Sequence, residues 1–177
     1  MKYLKENILA QVGLKELSQF LVLASVAICL PFFIHSQWIT GPIVNAVLIL
    51  SLFLLGIRET LILCLLPSLI ALSSGLLPAV LAPVVPFIMI SNVILILGLE
   101  FGYNNFGQKA KSFWLGLFLG AALKFTWLFF NVNLISKLLL KKELVIKIAQ
   151  MMSWPQFYTA ILGGIMAWSL LKLLKKI

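Results

Sequence analysis

Gly116, Gly120, Lys124, Trp127 and Asn131 follow one another at intervals of four, four, three and four residues, so on an α-helix they share one stripe. Two small residues let another helix approach closely; a cation, an indole and an amide follow. The whole stripe lies in an apolar run. A lysine at the centre of a membrane helix costs about 2.5 to 3.5 kcal/mol on insertion scales, so such a group faces a cavity or a partner. The chemistry this offers is coordination of an anion in a pocket open to the outside. A second reading stands beside it, in which the lysine stem snorkels outward or the ammonium donates to backbone carbonyls freed by Pro67. Asn45, Asn92 and Asn131 fall in the outer halves of their apolar runs and are candidates to converge on Lys124. They are equally candidates for interhelical hydrogen bonds, worth about 0.6 kcal/mol each.

Other chemistry finds little support. The chain has no HExxH, CxxC, Walker A or GxSxG motif, and its single histidine, His35, stands at a helix end. No carboxylate pair is spaced for acid and base work. Neither a metal site nor a cofactor is expected, and the chain is expected not to be an enzyme. Cys29 and Cys64 fall at different depths and read as packing residues, not as a disulfide.

The elements that position the stripe follow from composition. With 62% hydrophobic residues, 11% charged residues and a mean hydropathy of +1.11, the chain is expected to be an all-α integral membrane protein. Residues 1–177 form a single membrane domain of about six transmembrane helices in one bundle. Residues 1–16 read as an amphipathic segment on the inner surface. The spans fall at about 17–34, 42–56, 60–74, 84–101, 112–135 and 156–171, each near the length that crosses about 30 Å of hydrocarbon. Pro42 is expected to open the second span, Pro67 to bend the third, and Pro78, Pro83 and Pro86 to shape the bend before the fourth. Gly102 to Lys111 reads as a hydrophilic loop, the stretch from Ser136 to Met152 as an interfacial connection, and Ser153-Trp154-Pro155 as a helix start. Trp154 and Trp168 read as belt residues.

Charge sets the expected orientation. With the N-terminus inside, the inner ends hold Lys2, Lys5, Lys15, Arg58, Lys109, Lys111, Lys172, Lys175 and Lys176, against Lys137, Lys141, Lys142 and Lys147 outside. Nine against four places both termini in the cytoplasm of a multi-pass cell-membrane protein. The net charge of +9 then serves topology and the lipid bilayer, and no nucleic-acid partner is expected.

The block from Thr40 to Asn92, with its short first outer connection, tight Gly-x-Arg turn and proline-rich second outer connection, resembles the substrate-binding S components of energy-coupling factor (ECF) transporters. That resemblance implies a six-helix subunit that captures a vitamin or related micronutrient, a small-molecule substrate, on the outer side. It also implies a transmembrane coupling subunit and two cytoplasmic ATPases as partners. Carried onto this chain, the family's pocket takes in Trp38, Asn92, Lys124, Trp127, Asn131 and Gln156, with Asn45 beside them. The docking face implied for the coupling subunit is Ala24 and Ala27 of the first span, although the family's Ala-x-x-x-Ala spacing here meets Ile28. The groove at Gly116 and Gly120 is expected to take part. The alternatives are a scaffold subunit of another membrane complex and a small membrane-embedded enzyme.

Overall fold

The structure, a computed structural model, describes residues 13–34, 36–73, 79–138, 146, 149–150 and 152–177. The segment 1–12, His35, Pro78 and most of the expected interfacial connection, with Lys141, Lys142 and Lys147, lie outside the described residues. Among the described residues the chain is all-helical: α1 Leu14–Phe33, α2 Gln37–Leu54, α3 Ile57–Ser73, a 3-10 segment Ala79–Val84, α4 Val85–Asn105, α5 Ala110–Leu138 and α6 Trp154–Leu173. Ala82–Asn105 and Ala110–Val132 are long and apolar enough to cross a membrane, and Trp38–Leu54 is a shorter apolar helix.

Two expected boundaries are corrected. α2 begins at Gln37, so Pro42 lies inside the helix and Trp38 in its first turn. A proline this close to a helix start removes a single intrahelical bond, and its fixed φ already suits the helix. α4 continues to Asn105, which reduces the expected loop to a short reversal. There the Phe106 N–H bonds the Gly102 carbonyl, and Gly107 takes a φ of +92° that only glycine adopts without strain. The six expected spans otherwise overlie the six helices to within about a turn at each end.

Close backbone approach at glycines joins the helices into pairs. α4 and α5 run antiparallel with Gly98 on Gly120 and Gly102 on Gly116; a methyl group on Gly98 would come within 2.6 Å of the Gly120 Cα. The two small residues of the α5 stripe are therefore filled by the chain's own α4, because two glycines on α4 face them in register. α2 and α6 run parallel, with Gly41 beside Thr159; a methyl group on Gly163 would lie 2.7 Å from the Pro42 carbonyl oxygen. Ala24 and Ala27 of α1 are also buried within the bundle. None of the four residues expected to dock a partner presents a free surface.

At one end of the bundle Phe113 packs against Phe53, Trp114 and Trp168, and Tyr103 meets Phe53 edge-on. This cluster collects the C-terminal ends of α2, α4 and α6 and the start of α5. Trp168 is half-buried against these rings, whereas Trp154 is exposed and stacks on Phe125. The same end carries Arg58, Lys109, Lys111, Lys172, Lys175 and Lys176 in its turns and terminal residues. Hydroxyls inside the helices fold back on the preceding turn, as Ser51 does to Leu48, Thr60 to Gly56 and Ser91 to Ile88. No buried side-chain nitrogen or oxygen among the described residues lacks a partner.

The glycine contacts predict a stability pattern. Gly98→Ala and Gly163→Ala each drive a methyl into backbone and should destabilise by about 1 to 3 kcal/mol. Gly13→Ala meets open space and should stay within about 0.5 kcal/mol of the parent. Thermal denaturation of the detergent-purified variants reads the difference.

Candidate functional site

Lys124 is the middle residue of α5, fourteen residues from either end. Its side chain is only 2% exposed. The ammonium donates to Asn45 Oδ1 of α2 at 2.8 Å and to Asn92 Oδ1 of α4 at 2.9 Å. An ammonium has donors and no acceptor, so both amides must turn their oxygens toward it. Their NH2 groups then face away, Asn92 Nδ2 toward the Cys64 carbonyl oxygen of α3 at 3.4 Å and Asn45 Nδ2 toward Thr159 Oγ1 of α6 at 3.5 Å. Thr159 donates to the Gln156 carbonyl oxygen. Five helices thus contribute to one polar cluster whose centre is a cation.

Local structure explains the convergence. Gly98 and Gly120 bring the backbones of α4 and α5 together one to two turns from Asn92 and Lys124, which sets those side chains within reach. The Asn45 Cβ sits where a methyl on Gly163 would fall, so that glycine makes room for Asn45 at the α2–α6 contact. The carbonyl that accepts from Asn92 belongs to the turn before Pro67, where the helix ladder is interrupted.

Beyond Lys124, toward the end away from the ring cluster, an apolar layer closes over it. Val84, Leu128 and Met152 are buried there, with Phe87, Ile88, Trp127 and Val132 packed against them. Trp127 Nε1 donates to the Phe87 carbonyl oxygen at 3.2 Å, which pins the indole to the first turn of α4. Asn131 bonds back to the Trp127 carbonyl at 2.7 Å. It lies seven residues past Lys124, roughly 10 Å along the helix.

The expected residues therefore separate into two groups. Asn45, Asn92 and Lys124 meet directly. Trp127, Asn131 and Gln156 occupy the turns beyond, and Trp38 is 60% exposed and edge-on to Tyr158. The expectation of a lysine lining an outward-opening pocket is corrected: two amides and the apolar layer enclose it. Its ammonium neither snorkels to an interface nor bonds the carbonyls near Pro67; Asn92 takes the carbonyl and the lysine takes Asn92. Thr159 and the Cys64 carbonyl were not expected in the cluster. A threonine in the first turns of α6, four residues before Gly163, was the available signal for the first.

Among the described residues the ammonium of this cluster donates to uncharged amide oxygens. None of the described carboxylates, Glu16, Glu59 and Glu100, pairs with Lys124, whose bonds are to neutral dipoles alone. Among the described residues no group of three or more His, Cys, Asp or Glu is placed to hold a metal ion. Comparison with protein-family models, curated proteins and solved structures finds no match for this chain.

A buried cation shared by two amides predicts strong coupling. Asn45→Ala leaves the ammonium with one amide and should destabilise more than Lys124→Met, which removes the charge together with its need for partners. The double variant should recover part of the loss of Asn45→Ala, with an interaction energy of about 0.5 to 3 kcal/mol. A double-mutant cycle in denaturation midpoint or free energy measures it.

Proposed function

We propose that this chain is a six-span membrane protein that captures a small anionic solute at Lys124, as the substrate-binding subunit of an ECF-type uptake transporter. The observation that carries the reading is the buried ammonium held by two neutral amides, with no described carboxylate beside it. A cation enclosed in this way has unspent attraction for an anion, since a neutral dipole offsets only part of the lost hydration. A carboxylate or phosphate would satisfy Lys124, the amides would orient it, and Trp127 or Trp38 would lie against a ring. Vitamins and their precursors supply solutes of this kind.

The membrane reading draws on the two long apolar helices, the mean hydropathy of +1.11 and the lipid-like exposure of Leu21, Val22, Leu97, Leu123 and Phe130. The ring-cluster end, with its lysines and Arg58, belongs in the cytoplasm by the positive-inside rule. Lys124 then lies near mid-membrane and the apolar layer over it faces outward. A coupling subunit would meet the exposed face of α1, where Leu21, Val22 and Val26 remain open, because the alanines and glycines are used internally. Energy would come from the two cytoplasmic ATPases bound to that subunit.

A second reading is favoured by the closure of the cluster itself: Lys124, Asn45 and Asn92 serve as an interhelical clamp in a scaffold subunit. The two readings part on ligand binding. Under the uptake reading one compound in a panel of vitamins and precursors raises the melting temperature of the purified protein, by about 2.7 kcal/mol of stability at one hundred times its Kd. Lys124→Met abolishes that shift. A folded wild type that no compound in the panel stabilises, with Lys124→Met merely melting at a different temperature, supports the clamp and removes the uptake reading.

A further inference from the structure

We infer that the inner end of the contact between α5 and α6 is a docking surface for an anionic phospholipid, whose headgroup phosphate lies between Lys111 and Lys172. The inference rests on the membrane reading of the chain and not on solute capture at Lys124.

The surface is built from two short registers. On α5, Lys111, Trp114 and Phe118 are spaced by three and four residues; on α6, Lys172, Trp168 and Ile165 are spaced by four and three. Each set therefore shares one face of its helix. Phe113 meets Trp168 while Phe118 meets Phe157, so numbers rise along α5 as they fall along α6 and the helices are antiparallel. Both registers consequently run in the same direction: lysine at the ring-cluster end, then indole, then an apolar side chain toward mid-bundle. The Trp114 and Trp168 rings, 5.8 Å apart between centroids, set one register beside the other. Each lysine lies one turn past its indole, roughly 5 Å further along the axis.

That order matches the depth profile of a phospholipid. Lys111 and Lys172 are exposed, the two indoles are half-buried, and Phe118 and Ile165 are exposed. Indoles prefer the level of the glycerol esters, cations the headgroup above it, and apolar side chains the acyl region. Neither α5 nor α6 contains an Asp or Glu, and the described carboxylates Glu16, Glu59 and Glu100 stand on α1, α3 and α4. The two ammoniums thus have no acidic neighbour on their own helices. A phosphate between them gains attraction from both, whereas a zwitterionic headgroup brings an ammonium of its own that opposes them. Lys175 and Lys176 are also basic and exposed, but they follow the end of α6 at Leu173. They carry the same charge without the register, which makes them the internal control.

The test is native mass spectrometry of the full chain, purified in mild detergent and given phosphatidylglycerol and phosphatidylcholine at equal concentration. The wild type is expected to retain phosphatidylglycerol with a preference of about tenfold. Lys111→Gln combined with Lys172→Gln should abolish the preference, and Lys175→Gln combined with Lys176→Gln should keep it. Equal loss from both pairs, persistence in the first pair, or no preference in the wild type overturns the surface. Displacement of the lipid by inorganic phosphate also overturns it, since the site would then read a free anion. Lys124→Met is expected to leave lipid retention unchanged; loss of retention there would assign the lipid to Lys124 and overturn the surface. Washing the native membranes in alkaline carbonate checks the membrane reading by itself. A chain that washes off removes that reading and the surface with it, whereas a chain that stays but shows no headgroup preference removes the surface alone.

Discussion

Lys124 places an ammonium in the middle of the bundle, and nearly every notable feature of the packing serves to accommodate it. Removing such a group from water is unfavourable by several kcal/mol unless dipoles replace its hydration. Here the replacement comes from Asn45 and Asn92 on two other helices. Those helices reach the right distance because glycines let backbones touch, on α4 and α5 at one side and on α2 and α6 at the other. Thr159 and the Cys64 carbonyl then take the outward-facing amide nitrogens. The cation thus imposes a chain of requirements that runs through five of the described helices.

Much of this was legible before the fold was known, for reasons that differ by residue. Helix existence followed from apolar runs of bilayer length, and the stripe from Gly116 to Asn131 followed from a spacing that any α-helix preserves. The same stripe misled on where the glycines face. Spacing says that Gly116 and Gly120 share a side with Lys124, but only Gly98 and Gly102 in register on α4 reveal that the side is already occupied. The start of α2 was misplaced because Pro42 resembles an N-terminal residue, while a proline six residues into a helix breaks only one bond. The loop after Gly102 was overestimated because Tyr103, Asn104 and Asn105 look polar, yet they complete the last turn of α4.

The enclosure of Lys124 was the least legible feature. An asparagine's position along a span indicates its depth but not which neighbour it meets, and three asparagines at suitable depth were available. Asn131 turned back to its own helix, while Asn45 and Asn92 met the lysine. The difference lies in reach, since the Lys124 ammonium extends to Asn45 and Asn92 on the two neighbouring helices while the apolar layer of Val84, Leu128 and Met152 fills the space beyond. Enclosure also changes what the proposed capture requires, because a solute must displace a wall before it meets the charge.

The proposed capture requires that the enclosed ammonium serve an anion. Native mass spectrometry of the protein released gently from the membrane tests it without a choice of compound beforehand. A single small anionic species bound one to one is expected in the wild type and absent from Lys124→Met prepared in the same way. Wild type and variant emerging with the same small-molecule content, or both with none, would contradict it and leave Lys124 as a tie between helices.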